Sequence, residues 1–158
     1  ISGAPMTTNS EQRTLPYSAR QMYDLVADVA AYPQFLPWTA AARIRSRTPV
    51  EEGEVLEADL VISFKVFRER FGSRVTLRPD QMRIDTEYLD GPFRYLKSYW
   101  QFTDRAEGGC DVAFFVDFEF RNAILQRLIG VVFNEAMQRV VAAFERRAVA
   151  LYGNGAAR

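Results

Sequence analysis

Few residues of this chain could do chemistry, and the most informative of them is Glu69. It falls in phase with Phe67 and Phe71 in a stretch of alternating apolar residues, so we expect its carboxyl group on the interior side of a strand. A carboxylate there is paired with an arginine, is protonated, or lies at the mouth of a cavity; protonated, it can donate to a ligand carbonyl. Ser73 and Ser98 also fall on inward phases, where they either satisfy backbone groups or orient the polar head of a ligand.

Other catalytic and metal-binding residues are scarce. The chain of 158 residues has no histidine, and its single cysteine, Cys110, excludes an internal disulfide and favours a reducing compartment. The sequence contains no glycine-rich phosphate loop, CxxC pair, HExxH motif or nucleophile elbow. A catalytic interpretation would rest on Glu69, a tyrosine or a bound water, so we predict a protein without catalytic residues, metal or cofactor.

Composition places the chain among globular domains. Twenty basic residues balance twenty acidic ones, so net charge argues neither for nucleic acid nor for an anionic membrane. No apolar run approaches the roughly 18 residues of a membrane span. Residues 1–5 look like a remnant of cloning, and residues 6–158 are predicted to form one domain.

The longest predicted element is a helix over residues 122–152. Its apolar residues recur at three- and four-residue steps, as Ile124, Leu125, Leu128, Ile129, Val132, Phe133, Ala136, Val140, Phe144, Ala148 and Leu151. Asn122 can cap its start, and Gly153 with Asn154 can end it. Such a helix is about 45 Å long and must cross a whole sheet. The apolar segment 128–133 is buried on two sides, or it also lines a cavity or touches a membrane.

The rest of the chain reads as strands with one helical insert. Period-two alternation predicts strands over 11–15, 41–47, 56–64, 67–78, 82–88, 96–102 and 112–120, joined by successive hairpins and hence antiparallel. Ser18 and Gln21 have capping-box spacing and open a helix after the first strand. The segment 32–38, stiffened by two prolines, predicts a short helix or turn that covers one end of the domain. These elements predict an α+β domain whose sheet curls around the long helix and leaves a tunnel.

Two sets of side chains allow two interpretations each. The arginine row Arg68, Arg70, Arg74 and Arg78 is either a nucleic-acid stripe or, as we favour, a solvated face paired with acidic residues of neighbouring strands. The inward aromatic residues Phe64, Phe71, Trp100, Phe102, Phe114 and Phe118 form a core by default. With Phe35 and Trp38 from the insert, they would also suit a flat or polyprenyl ligand.

Three motifs together resemble one family. They are Tyr-Pro-Gln-Phe-Leu-Pro-Trp at 32–38, Phe-Arg-Glu-Arg-Phe-Gly-Ser-Arg-Val at 67–75, and Leu-Asp-Gly-Pro-Phe at 89–93 with Leu96, Trp100 and Phe102. They resemble the coenzyme Q-binding branch of the START-like (Bet v 1-like) superfamily. The resemblance implies a helix-grip fold, in which a curved antiparallel sheet of about seven strands wraps a long C-terminal helix and short helices follow strand 1. It also implies a hydrophobic tunnel for ubiquinone or a similar polyprenyl quinone, in a bacterial lipid-binding chaperone that supports respiration and is not an enzyme.

The resemblance and the strand phases together give a predicted binding site. By motif, the family's tunnel residues correspond to Phe35, Pro37, Trp38, Phe67, Glu69, Phe71 and Trp100. The inward phases and the helix add Leu60, Ile62, Phe64, Ser73, Ser98, Phe114, Phe118, Leu128 and Val132. The expected partner is a hydrophobic small molecule, with peripheral contact to the inner membrane, a cytoplasmic location and no DNA. The isoprenoid length, transport as against storage, and the oligomeric state stay open.

Two sister branches of the superfamily give alternatives. Bacterial ribosome-association toxins, proposed to bind the large subunit, look like this sequence at 17–23 and 117–120. The neutral net charge and the expected pairing of the arginines favour the quinone interpretation. Polyketide cyclases share the fold but act on polar polyketides, for which the predicted pocket offers few polar groups.

Overall fold

Seven antiparallel strands and two α-helices make up the described part of the chain. In this computed structural model, which describes residues 7–153, the strands are β1 (Thr8–Leu15), β2 (Thr39–Val50), β3 (Gly53–Phe64), β4 (Phe67–Arg78), β5 (Arg83–Asp90), β6 (Phe93–Asp104) and β7 (Cys110–Phe120). The helices are α1 (Ala19–Ala27) and α2 (Ala123–Tyr152), with short 3₁₀ helices at Val29–Gln34 and Pro79–Gln81. The predictions for residues 1–5 and for Asn154 lie outside the described residues.

The strands form a single sheet in the order β1-β7-β6-β5-β4-β3-β2. Each of the seven predicted strands is present, and most are longer than the alternation alone indicated. The predicted α+β class and helix-grip arrangement are confirmed, because the sheet packs its inner face against α2 and the short helices follow β1. β1 and β2 are the two edges, so the insert between them carries the chain across the whole sheet.

Both helices begin at the predicted caps. At α1 the Ser18 hydroxyl accepts from the Gln21 amide at 3.0 Å, and the Gln21 side chain accepts from the Ser18 amide at 2.9 Å. At α2 the Asn122 carboxamide oxygen accepts from the next two free amides, those of Ile124 at 2.8 Å and Leu125 at 3.0 Å. Gly153 ends α2 with φ +81°, a left-handed conformation that favours glycine.

The apolar stripe of α2 differs from the prediction at its two ends. Ile124 is 69% exposed and Leu151 is 49% exposed, whereas Leu125 is buried against the sheet. Consecutive helical residues point about 100° apart, so once Leu125 faces the sheet Ile124 turns away from it. Assigning both neighbours to one stripe was therefore wrong for Ile124, and Leu151 lies in the last turn, where the helix leaves the core.

One part of the core lies beneath the second half of α2. There the Phe144 ring contacts the rings of Trp100, at 4.9 Å between centroids, and Tyr32, at 5.6 Å. Trp100 also packs on Phe114 at 4.4 Å, and α1 closes the same region by laying Tyr23 edge-on against Phe102. Aromatic pairs in such orientations add about 0.5–1.5 kcal/mol each beyond their buried area.

The outer face of the sheet holds the arginine row. Three of its members make the expected ion pairs: Arg70 with Asp59 and Asp90, Arg74 with Glu57 and Glu87, and Arg78 with Glu52 and Asp85. Arg68 has no acidic partner among residues 7–153. The predicted pairing is thus confirmed for three arginines, and each such exposed pair contributes at most about 1 kcal/mol.

The antiparallel topology gives the sheet two different ends. One end, called the cavity end below, carries the β3–β4 turn at Lys65–Val66, the β5–β6 turn at Gly91–Pro92 and the β7–α2 junction at 121–122. The other, called the closed end, carries the β2–β3, β4–β5 and β6–β7 turns and lies beside α1.

Candidate functional site

A cavity of about 200 Å³ lies between residues 125–140 of α2, mostly its first half, and the inner face of the sheet, at the cavity end. The segment after the 3₁₀ helix contributes Leu36, Pro37, Trp38 and Thr39, and α2 contributes Leu125, Ile129, Ala136, Met137 and Val140. The sheet contributes Ile62, Phe64, Phe67, Glu69, Phe71, Leu96, Val116, Phe118 and Phe120, together with Pro92 and Phe93. The lining is almost entirely apolar, so the site offers a ligand contact area and little else.

Phe93 lies at the centre of the aromatic wall. Its ring stacks on Phe120 at 4.5 Å and meets Phe71 at 5.2 Å and Phe118 at 5.5 Å, both edge-on. The sequence-based prediction missed Phe93 as a site residue because Phe93 and Leu96 are three positions apart. Strict alternation along a strand would place two such residues on opposite faces of the sheet. A register shift between Phe93 and Tyr95 changes this alternation, because a bulge adds one residue to the strand and so returns Phe93 to the inner face. The Gly-Pro pair just before it was the one available signal of such an irregularity.

The segment from Phe35 to Trp38 covers the side of the cavity. The Trp38 ring meets Phe64 edge-on at 5.9 Å, and the Trp38 carbonyl accepts from the Ser63 amide at 2.8 Å. Trp38 has φ +61°, a left-handed conformation that costs a non-glycine residue about 1–2 kcal/mol. The surrounding contacts hold this strained residue in place, as is common at ligand sites.

Phe35 fastens this segment to α2 and does not line the cavity. Its ring lies 5.3 Å from Phe144 and 6.0 Å from Tyr32, between ring centroids. The Arg147 guanidinium lies 5.0 Å from the centre of the same ring and also donates to the side chain of Gln34 at 3.1 Å. Phe35 thus belongs to the core that anchors the cover.

Glu69 lies at the mouth of the cavity. It is exposed, and it is the only ionisable residue among the described residues that line the cavity. No arginine or lysine within residues 7–153 forms an ion pair with it, and its neighbour Arg70 lies on the outer face, where it pairs with Asp90 at 2.8 Å. Of the three situations expected for this carboxylate, the structure supports the one at the cavity mouth. Thr39 is the one other polar side chain in the described lining.

Half of the predicted site residues line the cavity: Pro37, Trp38, Ile62, Phe64, Phe67, Glu69, Phe71 and Phe118. The other half, Phe35, Leu60, Ser73, Ser98, Trp100, Phe114, Leu128 and Val132, lie outside its lining. Trp100 and Phe114 fill the core under Phe144, and Ser73 is buried further along β4, opposite Ala58. As ligand contacts, all sixteen stay predictions.

The helix residues of the lining belong to the predicted apolar stripe, although they were not assigned to the site. Ile129 and Val140 face the cavity, whereas the predicted Leu128 and Val132 are half-buried on the flanks of α2. The signal was present in the three- and four-residue spacing, but the spacing does not say which part of an apolar stripe faces a void.

Other reactive groups lie away from the cavity. Cys110 is fully buried at the closed end, and burial raises the pKa of its thiol to about 11, so it stays protonated at neutral pH. Across residues 7–153 there is no cluster of three or more His, Cys, Asp or Glu side chains that could hold a metal ion. Neither described helix is long and apolar enough to cross a bilayer.

Known proteins resemble this chain in sequence and in fold. Residues 15–145 match the family described as polyketide cyclase / dehydrase and lipid transport. The chain is 41% identical over 146 residues to the ribosome association toxin RatA of Rickettsia prowazekii. That match covers 90% of this chain and 97% of the toxin. It is 33% identical over 155 residues to the mitochondrial coenzyme Q-binding protein COQ10 homolog B of Xenopus laevis, covering 96% of this chain and 62% of that protein. A START superfamily protein from Mycobacterium smegmatis superposes with a TM-score of 0.76 at 19% identity, covering 91% and 98% of the two chains, and shares the fold.

Proposed function

Because the chain belongs to the polyketide cyclase / dehydrase and lipid transport family, we propose that its cavity binds ubiquinone or a similar polyprenyl quinone. The protein would act as a quinone-binding chaperone that supports respiratory electron transport. It would work from the aqueous side of a membrane and would not turn the quinone over.

One observation carries this proposal: a cavity lined by apolar side chains has, among the described residues of its lining, a single carboxyl group, that of Glu69, at its mouth. Apolar lining binds an isoprenoid segment through contact area, at about 25 cal/mol per Å². The carboxylate can accept a hydrogen bond from a quinol hydroxyl. This combination suits an amphiphile that has a small polar head and an apolar tail.

The proposal is tested first by finding what the protein carries. Purified protein is extracted with organic solvent, and the extract is examined by mass spectrometry. A quinone in near-stoichiometric amount supports the proposal. An extract without quinone, from a protein that also fails to bind added short-tailed ubiquinone, overturns it.

The separate roles of head and tail are tested by two substitutions. Trp38→Ala removes part of the apolar cover and should weaken a short-tailed ubiquinone and a head-less isoprenoid alcohol alike. Glu69→Leu should weaken the reduced ligand, a short-tailed ubiquinol, about fivefold, the equivalent of about 1 kcal/mol for one partly solvated hydrogen bond, and should change the affinity for the oxidised ubiquinone, which has no donor, much less. Glu51→Leu, an exposed acid at the closed end, is the matched control. Fluorescence titration of each variant with the alcohol and with both redox forms gives the comparison, and an unchanged ubiquinol affinity in Glu69→Leu would make that carboxylate structural.

A second candidate function is association with the large ribosomal subunit. The relative that is 41% identical to this chain is named a ribosome association toxin, and its match covers 97% of its own length. Co-sedimentation with isolated large subunits tests this candidate. If protein from which any bound ligand has been extracted still co-sediments with large subunits, that result would favour this candidate over the quinone proposal.

Polyketide cyclisation is a weaker candidate. The family description includes cyclases, but a polyketide carries many carbonyl groups that have to be oriented. The described lining offers only Glu69 and Thr39 as polar side chains for that purpose. Turnover of a linear polyketide by the purified protein would support the candidate.

A further inference from the structure

The cavity end of the molecule carries unpaired positive charge, although the whole chain is neutral. Lys65, Arg68, Arg121 and Arg127 have no acidic partner among the described residues, and each is next to or two residues from a cavity-lining residue. Among the described residues that line the cavity, the one carboxylate is that of Glu69. Cations at both the sheet and helix sides of the opening create a local field that the net charge does not show.

The same end exposes large apolar side chains. Val66 is 91% exposed at the β3–β4 turn, and Ile124 and Val131 on α2 are 69% and 79% exposed. Ile124, Leu128 and Val131 follow one another at four- and three-residue steps, so they form a second stripe on α2 beside the one that faces the cavity. An apolar stripe that faces water next to the mouth of an apolar cavity indicates a surface that is covered during function.

The β3–β4 turn has residues that do not favour a tight turn. Only Lys65 and Val66 separate the paired Phe64 and Phe67, and Lys65 has φ +54°, in the left-handed region. Two-residue hairpin turns favour Asn-Gly or Asp-Gly, because those residues adopt positive φ at little cost. A cation and an exposed β-branched residue at this tip contribute little to folding, and local rules of this kind are broken mainly at functional sites.

The size of the cavity gives a fourth observation. Its volume of about 200 Å³ lies below the roughly 300–1,000 Å³ of pockets that enclose drug-sized ligands. A polyprenyl quinone is longer than such ligands, so a cavity of this size holds the head and the first part of the tail. The remaining tail has to lie against apolar surroundings outside the mouth.

We propose that the cavity end is a docking surface for an anionic lipid bilayer, which holds the tail while the head enters the cavity. Val66 and the stripe Ile124–Leu128–Val131 would enter the acyl region, and the four cations would lie at the lipid headgroups. This inference rests on the proposed quinone function, since a lipophilic ligand would enter the cavity from the bilayer in which it dissolves.

The choice of a bilayer over RNA follows from the apolar residues. Unpaired cations fit a phosphate backbone as well as they fit anionic headgroups. Val66 and Val131, in contrast, would find no apolar partner on a phosphate backbone, whereas a bilayer interface supplies both phosphates and hydrocarbon.

The test is vesicle flotation of the full chain with two kinds of vesicle, one of phosphatidylcholine alone and one that also contains phosphatidylglycerol. We expect the protein to float with the second kind, to bind the first kind more weakly, and to lose the difference at high salt because salt screens the charges. The double variant Lys65→Ser with Arg127→Ser should bind the anionic vesicles about 25-fold more weakly, at about fivefold per cation. Val66→Ser with Val131→Ser should lose about tenfold per valine on both kinds of vesicle.

The matched control is at the far end of α2. Val149 is 47% exposed, and Arg146 is an exposed cation without an acidic partner in the described chain. Val149→Ser with Arg146→Ser removes the same kinds of group and should leave flotation unchanged. Equal affinity for the two kinds of vesicle, or an equal loss in this control, overturns the docking surface. Each variant is first checked by circular dichroism and thermal unfolding, which exposed substitutions should leave close to the parent values.

Two further results separate this inference from the function on which it rests. Short-tailed ubiquinone is titrated without vesicles, and the cation variants should keep their affinity for it. Quinone binding without vesicle docking overturns the inference and leaves the proposed function standing. Vesicle docking by a protein that binds no quinone supports the surface and overturns the proposed function. Binding to large ribosomal subunits that is lost in the Lys65 and Arg127 variant, in a protein that does not float with vesicles, assigns the same cations to RNA and overturns the bilayer.

Discussion

The two halves of α2 lie over one sheet but meet it differently. In the second half, Phe144 and Ala148 are buried, and the Phe144 ring touches aromatic rings from the sheet and from the segment after α1. In the first half, Leu125 and Phe133 reach the sheet, while Ile129 and Met137 face a cavity. One continuous helix therefore combines a packed region with a region that leaves apolar surface unfilled.

This difference shows where the molecule derives its stability. A filled interior gains dispersion contacts on every side of a ring, and a void lining forgoes them. The first half of α2 keeps apolar surface that could have contributed to folding, and that surface is what a lipophilic ligand would cover. Stability and binding are thus separated along one helix.

The largest expected effect comes from the packed half. Phe144→Ala should lower the free energy of unfolding by about 3–5 kcal/mol, because it deletes a buried ring and leaves a hole beside Trp100. Urea denaturation measures the loss directly. A melting temperature within about 2 °C of the parent would mean that the second half of α2 is not the packed half.

The second-largest effect is expected where the start of α2 meets β7. Gln126 is buried; its side-chain oxygen accepts from the Phe120 amide at 2.8 Å, and its nitrogen lies 3.4 Å from the Thr7 hydroxyl, which donates to the Phe118 carbonyl. Gln126→Leu leaves a buried amide without this acceptor and should cost about 1–3 kcal/mol. Hydrogen exchange should show the lost protection in β7 and the first turns of α2. Loss spread evenly over α2 would contradict the division into halves.

A smaller effect is expected in the cavity. Ile129→Ala should cost only about 1 kcal/mol, since the side chain is half-buried and already borders a void. The same urea titration measures it, and the ratio of the two losses is the useful quantity. If Ile129→Ala costs as much as Phe144→Ala, the two halves of the helix are packed alike.

The smallest effect is expected on the outer face of the sheet, behind both halves. Arg70→Ala with Arg74→Ala should change the unfolding free energy by no more than about 1 kcal/mol, because exposed ion pairs contribute little. Asp59 also keeps its partner Arg45, whose Nε donates to it at 3.0 Å. Thermal unfolding and quinone titration should both match the parent. A clear loss of ribosome binding in this variant would show that the arginine row has a partner.

The sequence predicts the elements well because periodicity reflects local geometry. The alternation in 56–64 and 67–78 and the caps at Ser18 and Asn122 follow from spacing within a few residues. Glu69 on the inner phase of β4 was found in this way, and the structure places it at the mouth of the cavity.

The composition of the cavity is harder to predict, for two physical reasons. Phe93 changes parity at a bulge, which a strict alternation cannot represent. Trp100 and Phe118 are both aromatic residues on inward strand phases. Trp100 is nevertheless in the filled core, whereas Phe118 borders the void. Which apolar residue meets a void depends on how far the helix stands from the sheet at each level, and residue type does not encode that distance.

The pairing of the first strand with the last strand has a consequence for how the molecule forms. Thr8 of β1 lies opposite Asp117 of β7, so this edge of the sheet is closed by contacts between residues about a hundred positions apart. Folding rates fall as such long-range contacts come to dominate a topology. During synthesis β1 waits unpaired until β7 has left the ribosomal tunnel, and the inner face of the intervening strands stays uncovered until α2 follows. The described part of the chain is therefore most prone to aggregate before α2 has left the tunnel, and its cavity exists only once that helix has docked.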